Sequence, residues 1–300
     1  MKTEVIYLDH AAGTPMDPKV EAAMQPYFSD TFYNPSAPYA PAVAVRREYE
    51  DAKQRIAQTI GGRGDEIVIT AGATESINLA FSAVQGHVIT ANVEHHAVLE
   101  AAKKHEATIV LADERGMVTD EAIKKAIRPD TQLVSIALAN NELGTIQPLR
   151  DIAQVIKAER DARLARGDHT PIYLHSDGSQ GVGQLDVNVA RLGVDMLTLN
   201  AAKVYGPKQV GLLWSASHIV LSPTIVGGGQ ERGLRSGTEN VAGTIGFAKA
   251  LELANEHRKY ESDRLMKLRD TLQSALTDAF PKAVLSGHQK HRLAGHLHVS

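Results

Sequence analysis

Lys203 lies in LTLNAAKVYGPKQVG, after an apolar strand-like run and before a Gly-Pro turn, where a fold can hold an amine rigidly in a cleft. Desolvation disfavours the ammonium form, so a lysine held there becomes a neutral nucleophile able to form a Schiff base with an aldehyde cofactor. HSDGSQ at 175–180 supplies Asp177 at the end of another such run, and a buried aspartate opposite a lysine is the pair that pyridoxal phosphate requires. Taken alone, a lysine before a turn is a solvated loop residue more often than a nucleophile. The neighbouring motifs reverse that balance.

ITAGATESINLA runs from a strand through Gly72, Ala73 and Thr74 into a helix, so free backbone N–H groups and the Thr74 hydroxyl would face an anion at the helix N-terminus. The same letters also read as an ordinary helix cap, with Thr74 as N-cap and Glu75 in the first turn. ANVEHHAV sets His95 just past a strand, where an imidazole could stack on an aromatic cofactor and carry protons. Adjacent His95 and His96 point different ways on a regular element, which argues against a metal pair there. LANNELGTIQP offers Asn140 and Asn141 before a glycine turn, as hydrogen-bond donors or as plain turn formers. Gln180, three residues past Asp177, could reach a phenolic oxygen of the same ligand. GGGQERGLRSGTEN, residues 227–240, joins a glycine run to two arginines and the hydroxyls of Ser236 and Thr238, and reads as an anion-binding loop more than as a tether.

The elements that must position these groups alternate between short β-branched runs and helical patterns. That alternation predicts an α/β fold with a mostly parallel sheet between helices. Seven strands are expected, at 66–70, 87–91, 107–111, 132–138, 171–175, 194–199 and 210–214. Val45, Tyr49, Ala52, Ile56 and Ile60 recur at helical spacing and stop at Gly61-Gly62, as an amphipathic helix with a glycine end does. Other helices are expected at 74–84, 96–106, 119–127, 149–165 and 239–256. A separate charged helix starts near 257, and a last strand-like run, LHVS, closes the chain. The organisation read from this is an arm at 1–15, a large domain at 16–256, and the beginning of a smaller α/β domain at 257–300 with an exposed sheet edge. His296 and His298 alternate on one face of that last run, a pattern that is solvated far more often than metal-binding.

With 300 residues, 43% of them hydrophobic, the chain can bury one large core and part of a second. A formal charge of −3 without like-charged runs argues against nucleic acid as a partner. No segment has the length or apolarity of a bilayer span or a secretory leader, so the cytoplasm is the expected location. There is no cysteine, which excludes disulfides and thiolate metal sites.

Taken in order, YLDHAAGTP, NPSAPY, AGATESINL, VEHHAV, NNELGTIQP, HSDGSQ, AAKVYGPKQVG and GGGQERGLRSGT resemble the cysteine desulfurases of the class V aminotransferase group, within the fold-type I pyridoxal-phosphate enzymes. The resemblance covers essentially the whole chain. It implies the cofactor on Lys203, Asp177 at its pyridine nitrogen, His95 on its ring, and Gln180 and Asn140 near the phenolic oxygen and ring. It implies a phosphate held by Thr74, the backbone around Ala73, and Asn200, with Thr238 reaching the neighbouring subunit's phosphate in a homodimer. L-cysteine would be the substrate, Lys203 or His95 would move protons, and a sulfur-acceptor protein would be the partner. Iron–sulfur cluster assembly and transfer-RNA thiolation are both open destinations for the sulfur.

Two departures from the family pattern stand out. Asn200 and Ala202 occupy positions where such enzymes carry a serine and a histidine directed at the phosphate, and Ala202 has no donor to offer. The catalytic cysteine and the arginine for the substrate carboxylate belong to a C-terminal portion that the resemblance leaves unmatched, so the expectation is a desulfurase-like chain impaired in sulfur transfer. Selenocysteine cleavage or transamination, which need no enzyme thiol, are the alternatives, together with a non-catalytic cofactor-binding role.

Overall fold

The structure, a computed structural model, describes residues 5–300. Two short helices, α1 (Pro18–Met24) and α2 (Pro26–Ser29), lead into α3 (Ala40–Ile60). Seven strands then follow among helices: β1 (Ile67–Thr70), α4 (Ala73–Phe81), β2 (His87–Ala91), α5 (His96–Ala102), β3 (Ala107–Val110), α6 (Asp120–Ala126) and β4 (Thr131–Ser135). The chain continues through α7 (Leu149–Ala165), β5 (Tyr173–Asp177), α8 (Val189–Leu192), β6 (Met196–Asn200), β7 (Gly211–Ser215) and α9 (Val241–Ala279).

The strands form one sheet in the order β1-β7-β6-β5-β4-β2-β3. The pairs among β2 to β6 are parallel, and β7 runs antiparallel between β6 and β1. Parallel strands covered on both faces are apolar on both faces, which is why the strands are legible as continuous hydrophobic runs. Alternate residues serve opposite sides: Ile67, Ile69, Ile89, Val134 and Leu212 join one core cluster. Val68, Val88, Leu133 and Leu213 join the other.

The expected helix at 149–165 has those limits. The helix through Val45 and Ile60 ends at Gly61 in the left-handed conformation. Two expectations for the C-terminal part are corrected. A new helix does not start near 257: α9 runs unbroken through it, because HRKYESDR is charged without containing a helix-breaking residue. LHVS forms no strand among the described residues. It contributes one isolated bridge, Leu285 to Val299, while the tail docks on the turn after Asn140 through Leu293 N–H to Gly144 O at 2.9 Å. That docking also corrects the picture of solvated histidines, since both ring nitrogens of His296 are buried and unpartnered, and a Cβ on Gly144 would lie 2.4 Å from the His296 Cβ.

Candidate active site

Asp177 is the last residue of β5 and stands in register opposite Thr198 of the adjacent parallel strand β6. β6 ends at Asn200, and one turn of 3-10 helix, Ala201–Lys203, carries Lys203 out from the same edge of the sheet. The half-buried Lys203 Nζ donates to the carbonyls of Ala11 at 2.6 Å and Ala12 at 2.9 Å. Burial lowers the Lys203 pKa, and the nearby charges of Asp177 and Asp9 act in the opposite direction. Asp177 Oδ1 accepts from Ser179 N–H at 2.9 Å, and Gln180 Nε2 also donates to Ala11 O at 2.9 Å.

The N-terminal arm therefore crosses in front of both Lys203 and Gln180, a contact with no signal in the sequence. Thr14 straps it down: its hydroxyl donates to Ala202 O at 3.0 Å and accepts from Tyr205 N–H at 2.7 Å. Lys208 Nζ adds a donation to Thr14 O.

At the end of β1 the chain turns through Gly72 into α4. Gly72, not Thr74, is the N-cap, with φ of 146° and no side-chain cap hydrogen bond. That conformation favours glycine, and the uncapped first turn leaves the N–H groups of Ala73 and Thr74 free for an anion. β7 approaches closely here, since a Cβ on Gly211 would sit 2.6 Å from the Gly72 Cα. Glu75, the acidic residue of this first turn, is drawn away from it. One of its oxygens accepts from Ala71 N–H at 2.7 Å and the other pairs with Arg235 at 3.0 Å. Asn200 Oδ1 accepts from Ala202 N–H at 3.2 Å, so its Nδ2 remains as a donor at the same edge.

His95 is the N-cap of α5, and its Nδ1 accepts from Ala97 N–H at 3.0 Å. Acceptance at Nδ1 puts the proton of the neutral ring on Nε2, at the exposed side. Asn140, by contrast, is buried and largely engaged. Its Nδ2 donates to Val93 O at 2.7 Å, and its Oδ1 accepts from Glu142 N–H at 2.9 Å and Leu143 N–H at 2.7 Å. One amide hydrogen is left for any ligand.

Loop 227–240 is tied down by a buried carboxylate that sequence reading passes over. Glu231 accepts from Tyr49 Oη at 2.5 Å, Lys53 Nζ at 3.1 Å and Ile69 N–H at 2.8 Å. Both ion-pair side chains are almost fully buried, at 3% and 4% exposure. Lys53 sits on the α3 face already marked by Tyr49 and Ile56, and that spacing was its only signal. Thr238 lies exposed on this loop, and within one chain the strand-end cluster forms without it.

The chain matches the family model described as aminotransferase class-V over residues 6–299. It is 41% identical over 312 aligned positions to the cysteine desulfurase IscS of Dictyoglomus turgidum, covering 100% of this chain and 76% of that protein. It is 39% identical to the cysteine desulfurase IscS 1 of Archaeoglobus fulgidus, covering 98% and 76% respectively. Among solved structures, a NifS-like protein superposes with a TM-score of 0.91 at 34% identity, covering 99% of this chain and 82% of that one. SspA, solved in complex with cysteine, superposes with a TM-score of 0.77 at 37% identity over 83% of this chain and 72% of that one.

Proposed function

We propose, from the premise that the chain belongs to the class-V aminotransferase family among the cysteine desulfurases it matches, that it binds pyridoxal phosphate at Lys203 and acts on L-cysteine. The observation that carries this reading is the emergence of Lys203 and Asp177 from neighbouring strand ends, with an uncapped helix N-terminus at the same sheet. The residues fit the cofactor. The turn at Gly72 and Ala73, the Thr74 hydroxyl and the Asn200 Nδ2 suit its phosphate, and Asp177 retains Oδ2 for a protonated ring nitrogen.

When bound, pyridoxal phosphate supplies an aldehyde carbon and an electron-accepting ring. Burial biases the Lys203 amine toward its neutral, nucleophilic form. The two hydrogen bonds that Nζ donates to the Ala11 and Ala12 carbonyls hold the amine at the arm, and they must be given up for it to reach the ligand. Asp177 would hold a proton on the ring nitrogen, and His95, its Nδ1 held by Ala97 N–H, would have Nε2 free to carry a proton. Gln180, released from Ala11, would have its Nε2 free to donate to a ring oxygen, and Asn140 would offer its one remaining N–H.

None of the 300 residues is cysteine, so no thiolate of this chain can accept sulfur. The balanced conversion is then L-cysteine plus an external thiol to L-alanine plus that thiol's persulfide: the carbon–sulfur bond breaks and the acceptor gains one sulfur atom. A sulfur-acceptor protein, iron–sulfur assembly as destination, a cytoplasmic setting and a homodimer that lends Thr238 to its partner belong to the same reading. Among the described residues no helix is long and apolar enough to cross a membrane. The second reading is cleavage of selenocysteine, a reaction that needs no enzyme thiol. Incubating the cofactor-loaded protein with L-cysteine and dithiothreitol should release alanine and sulfide in equal amounts. Release from L-selenocysteine alone selects selenocysteine cleavage, and no product from either substrate rejects both desulfuration and selenocysteine cleavage.

A further inference from the structure

Glu94 sits immediately before His95 in the turn after β2, and it is buried, with 7% exposure. Its Oε1 accepts a hydrogen bond from Ala137 N–H at 2.9 Å, and its Oε2 is buried without a partner among the described residues. The next amide along, Leu138 N–H, donates to the carbonyl of Asp177 at 2.9 Å. Segment 137–140 is thus gripped by Glu94 from the β2 side and by Asp177 from the β5 side, as the order β5-β4-β2 requires. Asn140 adds a second stitch to the same turn through Val93 O.

One amide does not solvate a buried carboxylate, and among the described residues no cation pairs with Glu94. The site keeps a full charge on one carboxyl only when the other is neutral, because two nearby carboxylates in low dielectric repel strongly.

We propose that Glu94 is a positioning residue held as a neutral carboxylic acid, which pins the His95 turn to segment 137–140 and leaves the negative charge of the Glu94–Asp177 pair on Asp177. This deepens the functional reading given above and rests on it, since that charge is the one that would hold the ring nitrogen. Burial pushes the Glu94 carboxyl from its usual 4.5 up to about 8; the Ala137 hydrogen bond opposes it, and the Asp177 charge adds a smaller push in the same direction as burial. Asp177, on β5, is the charged group acting on it, while segment 137–140 presents amides and apolar side chains.

The sign of the pH effect follows from the raised value. The folded chain holds this proton more tightly than the unfolded chain, so the stabilisation is complete below 4.5 and is lost as pH rises through about 8. Glu94→Gln has the shape of the neutral acid at every pH, so it removes that titration.

The test is denaturant unfolding of the cofactor-free full chain at intervals from pH 5 to 9, for wild type, Glu94→Gln, Asp177→Asn and the double variant. Relative to Glu94→Gln, the wild-type unfolding constant should rise by nearly tenfold per pH unit until about pH 8 and then level off. In the Asp177→Asn background the same Gln-sensitive step should move to lower pH. Parallel pH profiles for wild type and Glu94→Gln would overturn the proposal, and a step unmoved by Asp177→Asn would overturn the pairing. Because no cofactor is present, failure here is distinct from failure of the Lys203 assignment.

Discussion

The strand-end site and the distal half of α9 are built on opposite principles. Around Lys203 and Asp177, adjacent strand ends place the two groups, and an arm strapped through Thr14 holds the Lys203 amine from almost two hundred residues away. In α9, every buried position falls within 242–251, and the remaining length carries exposed Tyr260, Met266, Leu268 and Leu272. The first arrangement suits chemistry, because a reactive group needs neighbours that cannot relax away from it. The second is a surface rail, held by helical hydrogen bonds and a few contacts from the tail such as Arg269 to Leu293 O at 3.4 Å.

Substitutions in the two regions should separate them sharply. The largest loss is expected at the buried anchor of loop 227–240. Lys53→Ala leaves Glu231 buried without its cation and should cost about 3–5 kcal/mol in denaturant unfolding, whereas a loss below about 1 kcal/mol would mean the loop is not anchored there. Next comes Gly211→Ala, whose added Cβ would press on Gly72 at 2.6 Å. Overpacking of that kind costs about 1–3 kcal/mol. It should also weaken pyridoxal phosphate binding in a fluorescence titration, and unchanged affinity would show that the turn at Gly72 does not form the phosphate seat. The smallest effect belongs to the rail: Leu272→Ala, at a position 48% exposed, should shift stability by no more than about 0.5 kcal/mol. A loss of about 2 kcal/mol there would erase the contrast between the two regions.

Much of this was legible in the letters, and for a physical reason. Strands of a sheet covered on both faces must be apolar throughout, so HVITA and VGLLW stand out against polar surroundings. Lys203 and Asp177 are readable because chemistry collects where such runs stop. What stayed hidden depended on contacts between segments far apart in sequence. The grip of Ala11 O on both Lys203 and Gln180 is a backbone contact across 192 and 169 residues, invisible to side-chain types. Glu94 was overshadowed by the two histidines after it, although a carboxylate at a strand end in VEHHAV was its signal. Asn140 reads from NNELG both as an amide donor and as a turn former, and only the folded chain shows that its side chain closes the turn and keeps a single amide hydrogen. The unbroken α9 was missed because a charged stretch reads as a boundary, while a helix surface tolerates charge without interruption.

The most direct measurement is borohydride reduction of the protein loaded with pyridoxal phosphate, followed by peptide mapping, in wild type and Lys203→Ala. The account predicts a pyridoxyl group fixed on Lys203 in wild type and no comparable labelled lysine in the variant. A yellow wild type whose label maps to another lysine, and persists in Lys203→Ala, would contradict it.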